Sequence, residues 1–145
     1  RSILDEGGPV TDRVTIDEFT PSSEFFESYS KIDVQLDPFP YNGTTTTCES
    51  LWMGVPVLTI EGRWHAARVG TSLLRVCGLE QFIAADLSDY IAKAVDIATR
   101  PGDLAQTRAG LRRRIEKSPL RDEARYAKAF GDALRRAWAD WCARA

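Results

Sequence analysis

Val55-Pro56-Val57-Leu58-Thr59-Ile60 is an almost continuous apolar run of strand length. A strand wetted on one side alternates apolar and polar residues, so a run without alternation predicts a strand covered on both faces. The neighbouring segments fit a sheet with helices on its faces. Val14-Thr15-Ile16, leading into Phe19, reads as a strand, and so does Ile32-Asp33-Val34-Gln35-Leu36-Asp37, which ends at Pro38. Phe82-Ile83-Ala84 reads as a short, weaker one.

Helical spacing lies between and after them. Thr20-Pro21-Ser22 opens a helix carrying Phe25, Phe26 and Tyr29, with Thr20 or Ser22 as cap and Pro21 preset for the first turn. Thr44 to Trp52, closed by Gly54, and His65 to Cys77, closed by Gly78, read as crossover helices. Three more come after these: Leu87 to Thr99, Pro101 to Ile115, and about Asp122 to Ala143. Ser118-Pro119-Leu120 separates the last two. Tyr126, Phe130, Leu134, Trp138 and Trp141 form a stripe on the final helix that reads as core.

These elements predict a partial Rossmann-like, three-layer α/β/α fold with a small parallel sheet and a helical C-terminal tail. Residues 1–145 are expected to be one domain, with strand and helix alternating over 1–86 and the tail over 87–145. Three or four strands are few beside the roughly six of a doubly wound domain, so the chain reads as half of one.

Composition narrows the classes. Apolar residues make up 43% of the chain, with four Trp, six Phe and four Tyr, which excludes a disordered segment. No apolar stretch approaches the roughly 18 residues of a membrane-spanning helix. The first residue is Arg1 and nothing like a signal peptide comes after it, so a piece of a longer protein is expected. Cys48, Cys77 and Cys142 are widely spaced beside a single histidine, which favours neither a metal site nor a disulfide framework and suits the cytoplasm. Cys48 itself reads as a small buried residue of its helix. The net charge of −2 conceals an asymmetry: residues 1–60 hold 3 basic against 10 acidic side chains, and residues 61–145 hold 16 against 11. The densest basic run, Arg112-Arg113-Arg114, lies in a helical pattern beside Glu116 and reads as a solvated face or a face packed on an acidic domain, not a nucleic-acid site.

The stretch that carries chemistry runs from Asp37 to Trp52, Asp-Pro-Phe-Pro-Tyr-Asn-Gly-Thr-Thr-Thr-Thr-Cys-Glu-Ser-Leu-Trp. It leaves the C-terminal end of a strand and opens a helix, where open α/β sheets bind ligands. Unpaired N–H groups at a helix N-terminus attract anions, phosphate above all. Gly43 allows close approach, and the threonine hydroxyls add donors. Glu49, one turn in, is placed for a ribose diol. Capping explains one or two threonines, so from the pattern alone capping and phosphate binding stand level. Neither G-x-G-x-x-G nor a G-K-[ST] loop is present.

Asp37 to Gly54, then Val55-Pro56-Val57-Leu58-Thr59, Gly62 to Gly70, Gly78-Leu79 and Ser118-Pro119-Leu120 resemble, in that order, the C-terminal half of the catalytic region of the O-linked N-acetylglucosamine transferase family and its bacterial TPR-containing relatives. The likeness covers about residues 13–145. It implies the C-terminal nucleotide-sugar-binding domain of a GT-B glycosyltransferase, acting by metal-independent inverting transfer from a UDP-sugar, UDP-GlcNAc foremost. The family's Asn-Gly-His-Thr-Thr turn maps onto Asn42, Gly43, Thr44, Thr45 and Thr46, with Thr44 in place of the histidine, and its ribose-gripping aspartate onto Glu49. The uracil-contacting loop falls on Thr20 to Phe25, with Ser22 and Phe25 where animal members carry lysine and histidine. Arg68 is expected either near the phosphates or paired with Glu61 or Glu49. His65 reads as structural.

The same resemblance places the phosphate-binding lysine, the N-terminal Rossmann half, the TPR region and the general base outside this chain. Part of the final-helix stripe would then be exposed in the isolated piece, which is expected to be inactive alone. The implied partners are a UDP-sugar, the remaining halves of the same polypeptide and an acceptor protein, with no cofactor, metal or nucleic acid. Two alternatives remain: a non-catalytic interaction domain that keeps the fold, and a transferase using another nucleotide sugar.

Overall fold

A computed structural model describes residues 13–16 and 21–144. Three strands, β1 (Gln35–Leu36), β2 (Val57–Ile60) and β3 (Ile83–Ala84), form one parallel sheet in the order β1-β2-β3. Gln35 is opposite Val57, and Thr59 is opposite Ile83. All four residues of β2 are buried, as a run without alternation requires.

Six α-helices complete the described chain: α1 (Ser22–Ser28), α2 (Thr45–Trp52), α3 (Val69–Val76), α4 (Leu87–Thr99), α5 (Pro101–Glu116) and α6 (Glu123–Cys142). Helices α2 and α3 make the crossovers and pack on β2 and on each other. Helix α4 lies against β2 and β3, and α5 packs on both α2 and α4. The core joins Leu51, Val57, Leu74, Leu79, Phe82, Leu111 and Ile115, so the tail contributes to the same core as the sheet. Gly54 (φ +81°) and Gly78 (φ +66°) end α2 and α3 in left-handed turns. In each turn the next residue's N–H reaches back to the helix, Val55 to the Ser50 carbonyl at 2.8 Å and Leu79 to the Leu74 carbonyl at 2.9 Å. Among the described residues no helix is long and apolar enough to cross a membrane.

Four expectations are corrected. Val14-Thr15-Ile16 is not a strand: the three residues are irregular and exposed, Ile16 by 74%, while Phe19 lies outside the described residues. β-Branched residues favour strands only where a neighbour pairs and covers them. The strand expected over Ile32–Asp37 shrinks to its C-terminal part, because a 3₁₀ turn occupies Tyr29–Lys31 directly before it. The helix expected from His65 starts as a 3₁₀ turn (His65–Ala67) and becomes α-helical only at Val69. There the Gly62 N–H takes the Ala67 carbonyl at 2.8 Å, the acceptor a continuous helix would offer to Thr71. Helix α1 has Pro21 itself at the N-cap, with no side-chain cap, in place of Thr20 or Ser22.

The final stripe departs from the core reading. Tyr126, Phe130, Leu134, Trp138 and Trp141 are all exposed, Trp138 by 68%. Helix α6 is held by its Asp122 cap, which accepts the Arg125 N–H at 2.9 Å, and buries none of its residues.

Candidate functional site

Asp37 follows β1 and organises the turn into α2. Its N–H bonds the Leu58 carbonyl at 2.9 Å, and its side chain is 2% exposed. Oδ1 accepts the Gly43 N–H at 2.8 Å and Oδ2 accepts the Thr59 hydroxyl at 2.6 Å. The Tyr90 hydroxyl donates to the Asp37 carbonyl at 3.1 Å. Burial pushes the carboxyl above its ordinary range, against the pull of the Thr59 and Gly43 hydrogen bonds. Gly70 of α3 presses on this pair: a Cβ there would stand 2.6 Å from Asp37 Oδ2 and 2.7 Å from Thr59 Oγ1. A buried acceptor thus fixes the start of the turn from strand, loop and helix together.

Asn42 is spent on the turn's own geometry. It is buried, its Nδ2 donates to the Pro38 carbonyl at 3.2 Å and its N–H to the Ala66 carbonyl at 2.8 Å. Its Oδ1 has no partner among the described residues. Gly43 likewise gives its N–H to Asp37, and a Cβ there would lie 2.5 Å from Thr46 Oγ1. Both residues shape the turn, and their side-chain and N–H donors are occupied within it.

The donors that remain belong to the threonines. Thr44 is the N-cap of α2 but makes no side-chain cap bond, and the first turn carries no acidic residue. Thr44, Thr45 and Thr46 are exposed, whereas Thr47 is buried and its hydroxyl donates backwards to the Gly43 carbonyl at 2.9 Å. The N–H groups of the first turn have no partner within the helix. A positive helix end without a side-chain cap, bordered by three exposed threonines, therefore lies at the C-terminal edge of the sheet. Capping, one of the two sequence readings, is not what these threonines do.

Around this turn the structure gathers Phe25, Tyr29 and Glu49. The Phe25 and Tyr29 rings meet edge to face with centroids 5.4 Å apart. Tyr29 is buried, and its hydroxyl approaches the Thr46 carbonyl at 3.4 Å, a long contact. Burial first, and the nearby Glu49 charge second, raise its hydroxyl above the ordinary tyrosine value. Glu49 is half-buried. Ser22 is the first residue of α1, not its cap, and its side chain lies outside the described ones. Sequence reasoning missed Tyr29 and Asp37 as parts of this site; the first counted only as a helical apolar residue.

Arg68 takes the second of its expected places, beside Glu61. It lies 3.6 Å from Glu61, which also takes both nitrogens of Arg75 at 2.9 and 2.8 Å. Arg75 first among these partners holds the Glu61 carboxyl low. Arg68 lines a cleft along α3 with Arg63, His65, Ser72 and Arg75, and no residue of the turn lines it. The pairing with Glu61 was one of the two expectations. Cys48 is exposed, not buried, because the inward face of α2 is Thr47, Ser50 and Leu51. Trp52 packs against the core and carries the Arg112 guanidinium 4.4 Å from its ring centre. Among the described residues no three His, Cys, Asp or Glu gather as a metal-holding group.

The sequence profile of the glycosyl transferase family 41 matches residues 2–130. A tomato (Solanum lycopersicum) protein described as a probable UDP-N-acetylglucosamine–peptide N-acetylglucosaminyltransferase, SPINDLY, is 42% identical over 82% of this chain and 13% of its own length. A UDP-N-acetylglucosamine–peptide N-acetylglucosaminyltransferase of Caenorhabditis elegans is 30% identical over 92% of the chain and 12% of its own length. Among solved structures, a mutant O-GlcNAc transferase of Thermobaculum terrenum superposes with a TM-score of 0.86 at 37% identity, over 94% of this chain and 26% of that one. The chain thus spans about an eighth of the length of these curated relatives.

Proposed function

The chain belongs to glycosyl transferase family 41, and we propose that it forms the second half of the GT-B nucleotide-sugar-binding domain of a protein O-glycosyltransferase. The observation that carries this reading is the start of α2, which has no side-chain cap and where Thr44, Thr45 and Thr46 are exposed beside the first-turn N–H groups. A diphosphate fits that end by charge and by hydrogen bonding.

In this reading the first-turn N–H groups and hydroxyls grip the diphosphate of a UDP-sugar, with UDP-GlcNAc favoured by the names of the relatives. Glu49 receives the ribose hydroxyls and Phe25 packs on the base. As an acceptor hydroxyl attacks the anomeric carbon, negative charge gathers on the departing UDP. Donors fixed beforehand stabilise that charge more than the ground state, which lowers the barrier. The acceptor attacks from the face opposite UDP, so the configuration inverts, and no metal is needed because the helix end supplies the positive field. The general base and the groove that seats the acceptor's reacting residue belong to a part of the polypeptide beyond this chain, so the isolated chain binds donor without turnover. Arg68, held by Glu61, is left out of the donor site.

Titration of UDP into the isotopically labelled chain should shift the amides of Thr44 to Thr47 in NMR spectra. Thr46→Val, which keeps the shape and removes the hydroxyl, should weaken binding by about tenfold, the loss expected for one hydrogen bond to a charged group. Unmoved threonine amides at millimolar UDP would reject donor binding and favour the interaction-domain alternative. Stronger shifts with GDP than with UDP would point to a different nucleotide sugar.

A further inference from the structure

The cleft along α3 is separate from the threonine turn and carries an unbalanced charge. Arg63, Arg68, Arg75 and His65 surround it; Glu61 pairs with Arg68 and Arg75, and Glu80 lies near Arg75. Arg75 saturates Glu61 with two hydrogen bonds, and Arg68 reaches the same carboxylate at only 3.6 Å. Arg63 has no carboxylate within ion-pair distance among the described residues. The cleft floor adds the Thr71 hydroxyl, which is 1% exposed and lacks any hydrogen-bond partner among the described residues. Its usual acceptor in a helix, the carbonyl four residues back, is Ala67's, already engaged by Gly62. Ser72 offers a second hydroxyl on the exposed side.

We propose that this cleft receives the carboxylates of an acidic polypeptide segment, and that the segment is the acceptor's flank. The cleft measures about 620 Å³ and is open, larger than one small anion fills. Its position supplies the second half of the argument, which rests on the donor-site reading above. The loop bearing Arg63 and His65 leaves β2 and is tied to the turn by the Asn42 N–H on the Ala66 carbonyl. A polypeptide presenting a hydroxyl to a sugar held at the turn therefore passes along this loop. Asp or Glu residues beside the modified position would meet the surplus guanidinium charge, giving selectivity and faster encounter.

The test uses acetylated hexaglutamate, with hexaglutamine as its neutral counterpart, titrated into the labelled chain at low salt. Hexaglutamate should move the amides of Arg63, His65, Ser72 and Arg75 and saturate at millimolar concentration, and hexaglutamine should leave them in place. Arg63→Glu and Ser72→Glu, at exposed positions without partners to lose, should each weaken hexaglutamate about tenfold. Both should leave the UDP-induced shifts at Thr44 to Thr47 intact, which shows that the fold and the donor site survive. Equal shifts with the two peptides, or hexaglutamate shifts centred on Arg112–Arg114, would overturn the proposal. A chain that binds hexaglutamate at the cleft but not UDP would refute the donor reading and with it the acceptor assignment, leaving only a site for an acidic segment.

Discussion

Asp37→Ala should lower the stability of the chain by about 3 kcal/mol, read from urea unfolding. The substitution removes the acceptor of two donors, the Gly43 N–H and the fully buried Thr59 hydroxyl. A buried donor left unpaired costs roughly 1–3 kcal/mol, and Gly43, half-exposed, sits at the lower end because water reaches it. Asp37→Asn separates shape from charge, since its amide oxygen still accepts from Gly43. The two also differ in pH dependence. Burial raises the Asp37 carboxyl above its ordinary 3.8, so the folded chain holds that proton more tightly than the unfolded chain. The associated stability is complete below the unfolded value and is lost as pH rises from 3.8 through the folded value. The stability of the parent chain relative to Asp37→Asn should therefore fall across that window and stay level above it. A relative stability that climbs with pH would show that the two hydrogen bonds outweigh burial.

Asp37 also shows where sequence reading stops. The strand–turn–helix order, the closing glycines and the buried β2 follow from periodicity and turn chemistry, both local. An acidic residue at the end of a strand, before a proline, carries no local sign that its carboxyl is a buried acceptor. Its burial depends on Thr59, 22 positions later, and on the bare backbone of Gly70, so only the packed sheet exposes its role. The four threonines are ambiguous in sequence for a related reason: composition does not say which hydroxyl turns back to Gly43 and which stay outside. Arg68 could be read from sequence as a phosphate contact, but Glu61, which also holds Arg75, takes it across a turn that periodicity reads as helix. Val14 to Ile16 have the composition of a strand but pair with none of the described residues. For α6 the spacing gives amphipathicity and cannot give the covering partner, since the helix buries nothing in this chain.

Helical glycines offer the sharpest contrast of sign. Alanine ordinarily gains up to about 1 kcal/mol over glycine inside a helix, through the entropy of the unfolded chain. At Gly110, in the middle of α5, an added Cβ meets nothing within 4 Å, so Gly110→Ala should stabilise by about 0.5–1 kcal/mol. At Gly70 the same methyl would stand 2.6 Å from Asp37 Oδ2, 2.7 Å from Thr59 Oγ1 and 3.2 Å from Thr59 Cβ, all buried. Overpacking costs roughly 1–3 kcal/mol, and parting the Asp37–Thr59 bond adds about 1 kcal/mol. The clash outweighs the helix gain, and Gly70→Ala should destabilise by about 2 kcal/mol. Its effect also reaches the turn, because the carboxylate displaced from Thr59 is the one that holds Gly43. Gly70→Ala should thus weaken UDP binding at temperatures where the chain remains folded, while Gly110→Ala leaves it unchanged. Equal UDP affinity in the two variants would mean that the turn keeps its geometry without Asp37.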